Sequence, residues 1–334
     1  MVAGYRPGHR LVLTRNPQFR EWSQAAQPDG YPDRIELRLD VPESRRIDVV
    51  LRGEADYAGG VLSGVSPNRT QELLTQHAAQ THVEPLLTTI ALFLNTRVAP
   101  FDDPRVRRAL AYGIDRRAVV RAIGGSSAGV STCQILPPNF PGYIRSCPYG
   151  APDLRTARRL VGASGTRGMR VTVRTVKFLA APVRVVVALL RRLGYHASLK
   201  VFANGLVYSE LASDSRTRAQ AGTSYWAADY PAASNFLQQL LSCAAFRPRS
   251  VDNLNVAEFC SPAIDARMRR AARMQAVNPQ LANRQWARAD RAMVDAAPWI
   301  PLFNPRSVEL LSRRAGGHRY SPIYGTLVDQ LWVR

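Results

Sequence analysis

At 334 residues the chain is long enough for two domains with real cores. Its 46% apolar and 21% charged content excludes a disordered or fibrous protein. The net charge of +20 is almost all arginine, lysine standing only at Lys177 and Lys200, and no basic tail, helix-turn-helix, finger or stacking module accompanies it, so nucleic acid is not expected as a partner.

The first seventeen residues lack a basic region followed by an apolar one, and so do not read as a signal peptide. Gly4-Tyr5 reads as a bend, followed by a strand with alternating Leu11 and Leu13 and ending at Asn16-Pro17. A second strand follows Tyr31-Pro32 and runs to Leu39. Ser44 to Leu51 reads as a short helix, Leu51 to Asp56 as a turn, and Ser66 to His77 as a helix. His77 and His82 lack a third ligand at any fixed spacing, so they read as two unrelated surface histidines, and neither metal nor cofactor is expected. The longest strongly apolar run, Val183 to Leu190, falls far short of the ~20 residues that span a bilayer.

The stretch from Leu92 to Val120 is the most informative. The uncharged, β-branched run TTIALFLNT reads as a buried strand. A Pro-Phe-Asp-Asp-Pro turn follows, with Asp103 as helix N-cap and Pro104 at the first helical position. Val106, Ala109, Leu110 and Gly113 recur at helical spacing, while Arg105, Arg107, Arg108 and Tyr112 fall mostly off that face. Asp115 caps a second short helix. Gly125 to Gly129 matches G-x-S-x-G around Ser127, but a helix precedes it where a hydrolase elbow needs a strand, so an enzyme is not expected.

Ser131 to Gly150 is a Pro- and Gly-rich loop flanked by Cys133 and Cys147, and Cys243 and Cys260 flank another. Four cysteines allow three pairings. Each loop closing on itself is the simplest, and such a bridge adds ~3 kcal/mol in the chain-entropy model. Four reduced thiols in a cytosolic protein are the other reading. Helices are expected at Pro152–Ala163 and Pro182–Leu193, strands at Met169–Thr175 and Tyr195–Phe202. That order suggests a βαβ unit with a right-handed crossover. Asn204 caps a helix to Ala212, and helices follow to Leu241, over Ser261–Gln275 and over Asn278–Ala296.

Asn95-Thr96, Pro100-Phe101-Asp102-Asp103, Arg105-Val106-Arg107, Ala109-Leu110, Tyr112 and Ile114-Asp115-Arg116 closely resemble the signature of the substrate-binding proteins of ABC importers, peptide/nickel-binding class. The hairpin from Gly4 to Pro17, the Leu51–Asp56 turn and the closing segment from Ala297 are similar to further family elements. The resemblance spans nearly the whole chain but starts inside the family's first lobe. It therefore implies a chain whose natural start lies before Met1.

The resemblance implies an α/β, type II periplasmic-binding-protein-like fold of two lobes joined by a hinge, with lobe one incomplete. Residues 1–125 and 299–334 are expected in lobe one and 126–298 in the second lobe. It also implies non-catalytic capture of a peptide or small cationic solute in an interlobe cleft. The implied partner is an ABC permease. The protein is expected as an extracytoplasmic monomer that meets the membrane only through the permease or a missing anchor. The ligand-sensing part of a cytosolic transcriptional regulator is the alternative use of the same lobes. Tyr225-Trp226-Ala227-Ala228-Asp229-Tyr230 resembles the family's W-x-A-D-Y segment, whose aspartate receives the ligand's α-ammonium group. That role carries over to Asp229, with Trp226, Tyr225 and Tyr230 as aromatic neighbours and Asn95 as a further ligand residue. The usual D-Y-P-D-P is here Asp229-Tyr230-Pro231-Ala232-Ala233, which leaves the ligand open.

Overall fold

The computed structural model describes residues 1–61 and 66–334, and its chain divides into two compact units, residues 1–85 with 306–334 and residues 86–305.

In unit 1 the chain opens with β1 (Val2–Arg6), β2 (Arg10–Thr14) and β3 (Arg34–Arg38), an antiparallel sheet in the order β1-β2-β3. The expected bend at Gly4-Tyr5 is thus a strand, and the turn sits at Pro7–His9 instead. Val12, between Leu11 and Leu13, is the buried residue of β2, the reverse of the expected alternation. The register of β2 between two partners sets which face is covered, and local periodicity cannot see that. α1 (Glu43–Leu51) and β4 (Tyr57–Val61) follow, then α2 (Pro67–Gln76), capped by the Ser66 hydroxyl on the Arg69 amide, and β5 (Thr81–Pro85).

Unit 2 begins with β6 (Thr88–Leu94), buried at every residue. Such a strand carries no polar face, which is why its sequence is a continuous apolar and threonine run. α3 (Pro104–Gly113) starts as expected, with Asp103 accepting from the Arg105 amide at 2.7 Å. α4 (Arg116–Ile123) is capped by Asp115. After β7 (Gly129–Ser131) and α5 (Leu154–Ser164) come β8 (Arg170–Val176), α6 (Ala180–Arg192) and β9 (His196–Phe202), with β8 and β9 parallel. This is the anticipated βαβ unit. Asn204 caps α7 (Gly205–Ser213) through the Leu206 and Val207 amides. β10 (Ala221–Ala227) lies antiparallel to β6 over seven residue pairs and parallel to β8. α8 (Ser234–Leu241), α9 (Pro262–Gln275) and α10 (Pro279–Ala296) lead to β11 (Trp299–Leu311), whose first part pairs with β6 and β7.

The last part of β11 belongs to unit 1 and pairs with β5 and β4. The short strands β12 (Ala315–Gly316), β13 (Tyr320–Ser321), β14 (Gly325–Thr326) and β15 (Trp332–Val333) close the chain. Each unit has its own core. In unit 1 it gathers Ile47, Val50, Ala58, Leu73, Val308 and Leu310. In unit 2 a larger core runs from Ile90 to Phe303 through the sheet and its helices. No helix among the described residues is long and apolar enough to cross a membrane.

Two arginines of the signature are buried, not solvated. Arg107 donates to the carbonyls of Phe101, Asp102 and Ala296, and Arg116 to those of Pro301 and Ala111. Each fastens a helix to distant backbone, and burial lowers both guanidinium pKa values to about 10. The other expectation that changes is His82. It is not an isolated surface histidine: its ring stacks on His318, centroids 3.8 Å apart, and burial pushes its imidazole toward the neutral form.

Candidate functional site

β10 passes from core to surface along its length. Ala221, Gly222 and Thr223 are buried, whereas Tyr225 is 50% exposed. Close packing sets the inner end. A Cβ on Gly222 would lie 2.7 Å from the Phe93 ring and 2.8 Å from the Tyr208 hydroxyl, so only glycine fits there. The Tyr208 hydroxyl donates to the Thr223 carbonyl, and burial raises its pKa. The Thr175 and Thr223 hydroxyls meet at 3.1 Å.

At the outer end, unit 2 holds a pocket of about 360 Å³. Tyr225, Trp226 and Asp229 form one wall, Tyr208 and Ala212 of α7 a second, and Asn253, Leu254 and Val256 a third. The residue that organises the first wall is Asn235, in the opening turn of α8 and fully buried. Its side-chain oxygen accepts from the Trp226 indole N–H at 3.1 Å and from the Asp229 amide at 3.0 Å. Its side-chain nitrogen donates to Asp229 Oδ2 at 2.9 Å and to Gln239 at 3.0 Å. Asp229 Oδ1 has no protein donor among the described residues. The carboxylate is therefore fixed in direction with one oxygen open to solvent, where it can accept from a cationic donor. Asp229 does not cap the following helix: α8 begins after Ala233 with no side-chain cap.

Tyr230 is 45% exposed and does not line the pocket. Asn95 stands elsewhere. It is 1% exposed, and its amide donates to Glu258 Oε1 at 3.0 Å while its oxygen accepts from the Arg97 amide. With Thr96, which donates to the Ala257 and Glu258 carbonyls, it holds the 243–260 loop in place. Both loops are bridged as the simplest pairing has it, Cys133 to Cys147 and Cys243 to Cys260. The Ser127 hydroxyl donates to the Gly124 carbonyl, and α4 precedes it where an elbow would have a strand.

Sequence reasoning missed Asn235, Asn253 and Tyr208. Asn235 lies within reach of the W-x-A-D-Y segment, but nothing local distinguishes an asparagine that turns inward from one that faces water.

Residues 1–247 match the profile described as "Bacterial extracellular solute-binding proteins, family 5 Middle". The chain is 27% identical over 312 residues to "Probable di/tripeptide-binding protein 5" of Pseudomonas aeruginosa, covering 89% of this chain and 56% of that one. Among solved structures it superposes on "Clavulanic acid biosynthesis oligopeptide binding protein 2" with a TM-score of 0.87 and 22% identity, over 100% of this chain and 62% of the other. The Helicobacter pylori "ABC transporter-associated periplasmic binding protein DppA", solved with the peptide STSA, gives a TM-score of 0.78 and 21% identity, over 99% and 62%. The fold is that of the periplasmic binding proteins. The chain spans little more than half the length of the curated relatives it matches.

Proposed function

We propose, from the premise that this chain belongs to the bacterial extracellular solute-binding proteins of family 5, that it captures a peptide or similar small cationic solute. Capture takes place outside the cytoplasm, and a monomeric protein hands the solute, chemically unchanged, to the permease of an ABC importer. The observation that carries the ligand class is the Asp229 carboxylate, held by Asn235 at the rim of an aromatic-walled pocket with one oxygen open. An α-ammonium donating to it would form a charge-assisted hydrogen bond of roughly 1.5–3 kcal/mol. The Tyr225 and Trp226 faces add apolar area and cation–π attraction. Tyr230 flanks the site without lining it. The whole pocket lies within unit 2, residues 86–305.

Two further facts support this reading over a cytosolic sensor. Several relatives are named di/tripeptide- or oligopeptide-binding proteins, the Escherichia coli one being called periplasmic, beside others named for heme and glutathione. The two bridged cysteine pairs also suit an oxidising compartment. The test is calorimetric titration of the full chain with di- and tripeptides and with their Nα-acetylated forms. Free peptides should bind and acetylated ones should not, because acetylation removes the ammonium. Equal binding of both forms would sink the assignment of Asp229.

A further inference from the structure

His318 occupies an unusual position in unit 1. Its Nε2 lies 3.0 Å from Glu309 Oε2 and 3.1 Å from the Thr326 hydroxyl. Glu309 is 2% exposed, on the last part of β11. A buried carboxylate accepts, so Nε2 is the ring nitrogen that donates to Glu309, and Nδ1 is the one turned away from it. Nδ1 faces Glu84 Oε1 at 3.9 Å. The gap is too long for a hydrogen bond. His82 completes the group. It stands two residues before Glu84 on β5, hence on the same strand face, and stacks on the His318 ring. One ligating atom from each of His82, Glu84 and His318 lies within 4.8 Å of the others.

We propose that His82, Glu84 and His318 form a divalent transition-metal site, with zinc as its fitting occupant. Two imidazoles and one carboxylate are the donor set zinc takes when a fourth position stays open to water. Calcium and magnesium, which seek all-oxygen shells, do not fit it. Glu309 acts as the outer carboxylate of a carboxylate–histidine–metal arrangement, fixing the tautomer that leaves Nδ1 free to ligate. Bound zinc would draw the three donors to about 3.4 Å from one another, which needs the His82 ring to turn about its Cβ–Cγ bond out of the stack. The ion would clip the segment around His318 onto β5. This site shares no residue with the Asp229 pocket.

The test uses the full chain freed of metal with a chelator and titrated with Zn²⁺ by calorimetry at neutral pH, with Co²⁺ as a visible-absorption probe of coordination. One equivalent of each ion should bind in mutual competition, Ca²⁺ should not compete, and Zn²⁺ should raise the melting temperature. Glu309→Gln should weaken binding ten- to hundredfold, as loss of such outer partners does. His318→Gln should abolish it, and His77→Gln and His196→Gln should leave it unchanged. Should His318→Gln fail to fold, Glu84→Gln tests the same site, since among the described residues the Glu84 carboxylate has no hydrogen bond and meets His318 only at 3.9 Å. A chain that takes up neither ion, as it would if a proton on His318 filled the gap, would overturn the proposal. So would uptake unchanged in Glu84→Gln or lost in His196→Gln.

Discussion

Segments 133–147 and 243–260 look alike in sequence: irregular, rich in turn-forming residues, each closed by a disulfide. Their places in unit 2 differ. The first is core. Ile135 and Leu136 are fully buried, and Phe140 packs edge-on against Phe236 at 5.3 Å. Its backbone can be buried because polar side chains satisfy it: the Gln134 oxygen accepts from the Ser146 amide, and Asp290 accepts from Gln134 and from the Ile135 amide. The second is a pocket wall. Asn255 ties its two ends by donating to the Ser242 and Phe259 carbonyls, and Asn253 accepts from the Arg247 amide. This leaves Leu254 41% exposed beside the site. Covering an irregular segment requires internal polar partners, and the chemistry of those partners decides whether it joins the core or borders solvent.

Opening the bridges tests this contrast most severely. The two loops separate their cysteines by 14 and 17 residues, so paired Cys→Ala changes should each cost about 3 kcal/mol in urea melts. Only the Cys243/Cys260 pair should also weaken peptide binding. Equal loss of affinity from both pairs would erase the distinction between core and wall.

The pH profile tests the core segment. Burial raises the Asp290 carboxyl to about 6, against the hydrogen bonds from Gln134 and the Ile135 amide that would lower it. A carboxyl raised on folding stabilises fully below its unfolded value of about 4, and that stability is lost as pH rises through about 6. The loss should approach ~3 kcal/mol between those limits, from two pKa units at ~1.4 kcal/mol each. Asp290→Asn should flatten the urea midpoint across that window. A profile unchanged by the substitution would contradict this origin.

At the pocket, Asp229→Asn keeps the shape and removes the charge. Affinity for free peptides should fall roughly ten- to hundredfold, or ~1.5–3 kcal/mol. The melting temperature should barely move, because asparagine can still accept from Asn235. The smallest effect is expected for Asn253→Ala, which strips one amide from the wall and leaves the Arg247 amide unpaired. It should cost about 1–3 kcal/mol and weaken peptide binding without touching the pH profile. A variant that melts earlier yet binds peptide normally would show that the wall tolerates its loss.

The sequence by itself determined the elements whose signals are short-range. Asp103, Asp115, Asn204 and Ser261 cap their helices because a side chain needs to reach only two or three residues ahead. The uncharged β6 run, the βαβ order around α6 and the loop-closing disulfides were legible for the same reason, and the family signature and Trp226–Asp229 segment were legible as fixed spacings. Tertiary structure decided what depends on partners far along the chain. Nothing local marks Arg107 and Arg116 as buried until the Ala296 and Pro301 carbonyls are seen to receive them. Val12 faces inward because β2 is paired on both sides. Asn235 became the centre of the site, and His82 met His318 and Glu309, only when helix and sheet packing brought their side chains together. No residue type or spacing announces such meetings, because what fixes them is the register of strands and the docking of helices.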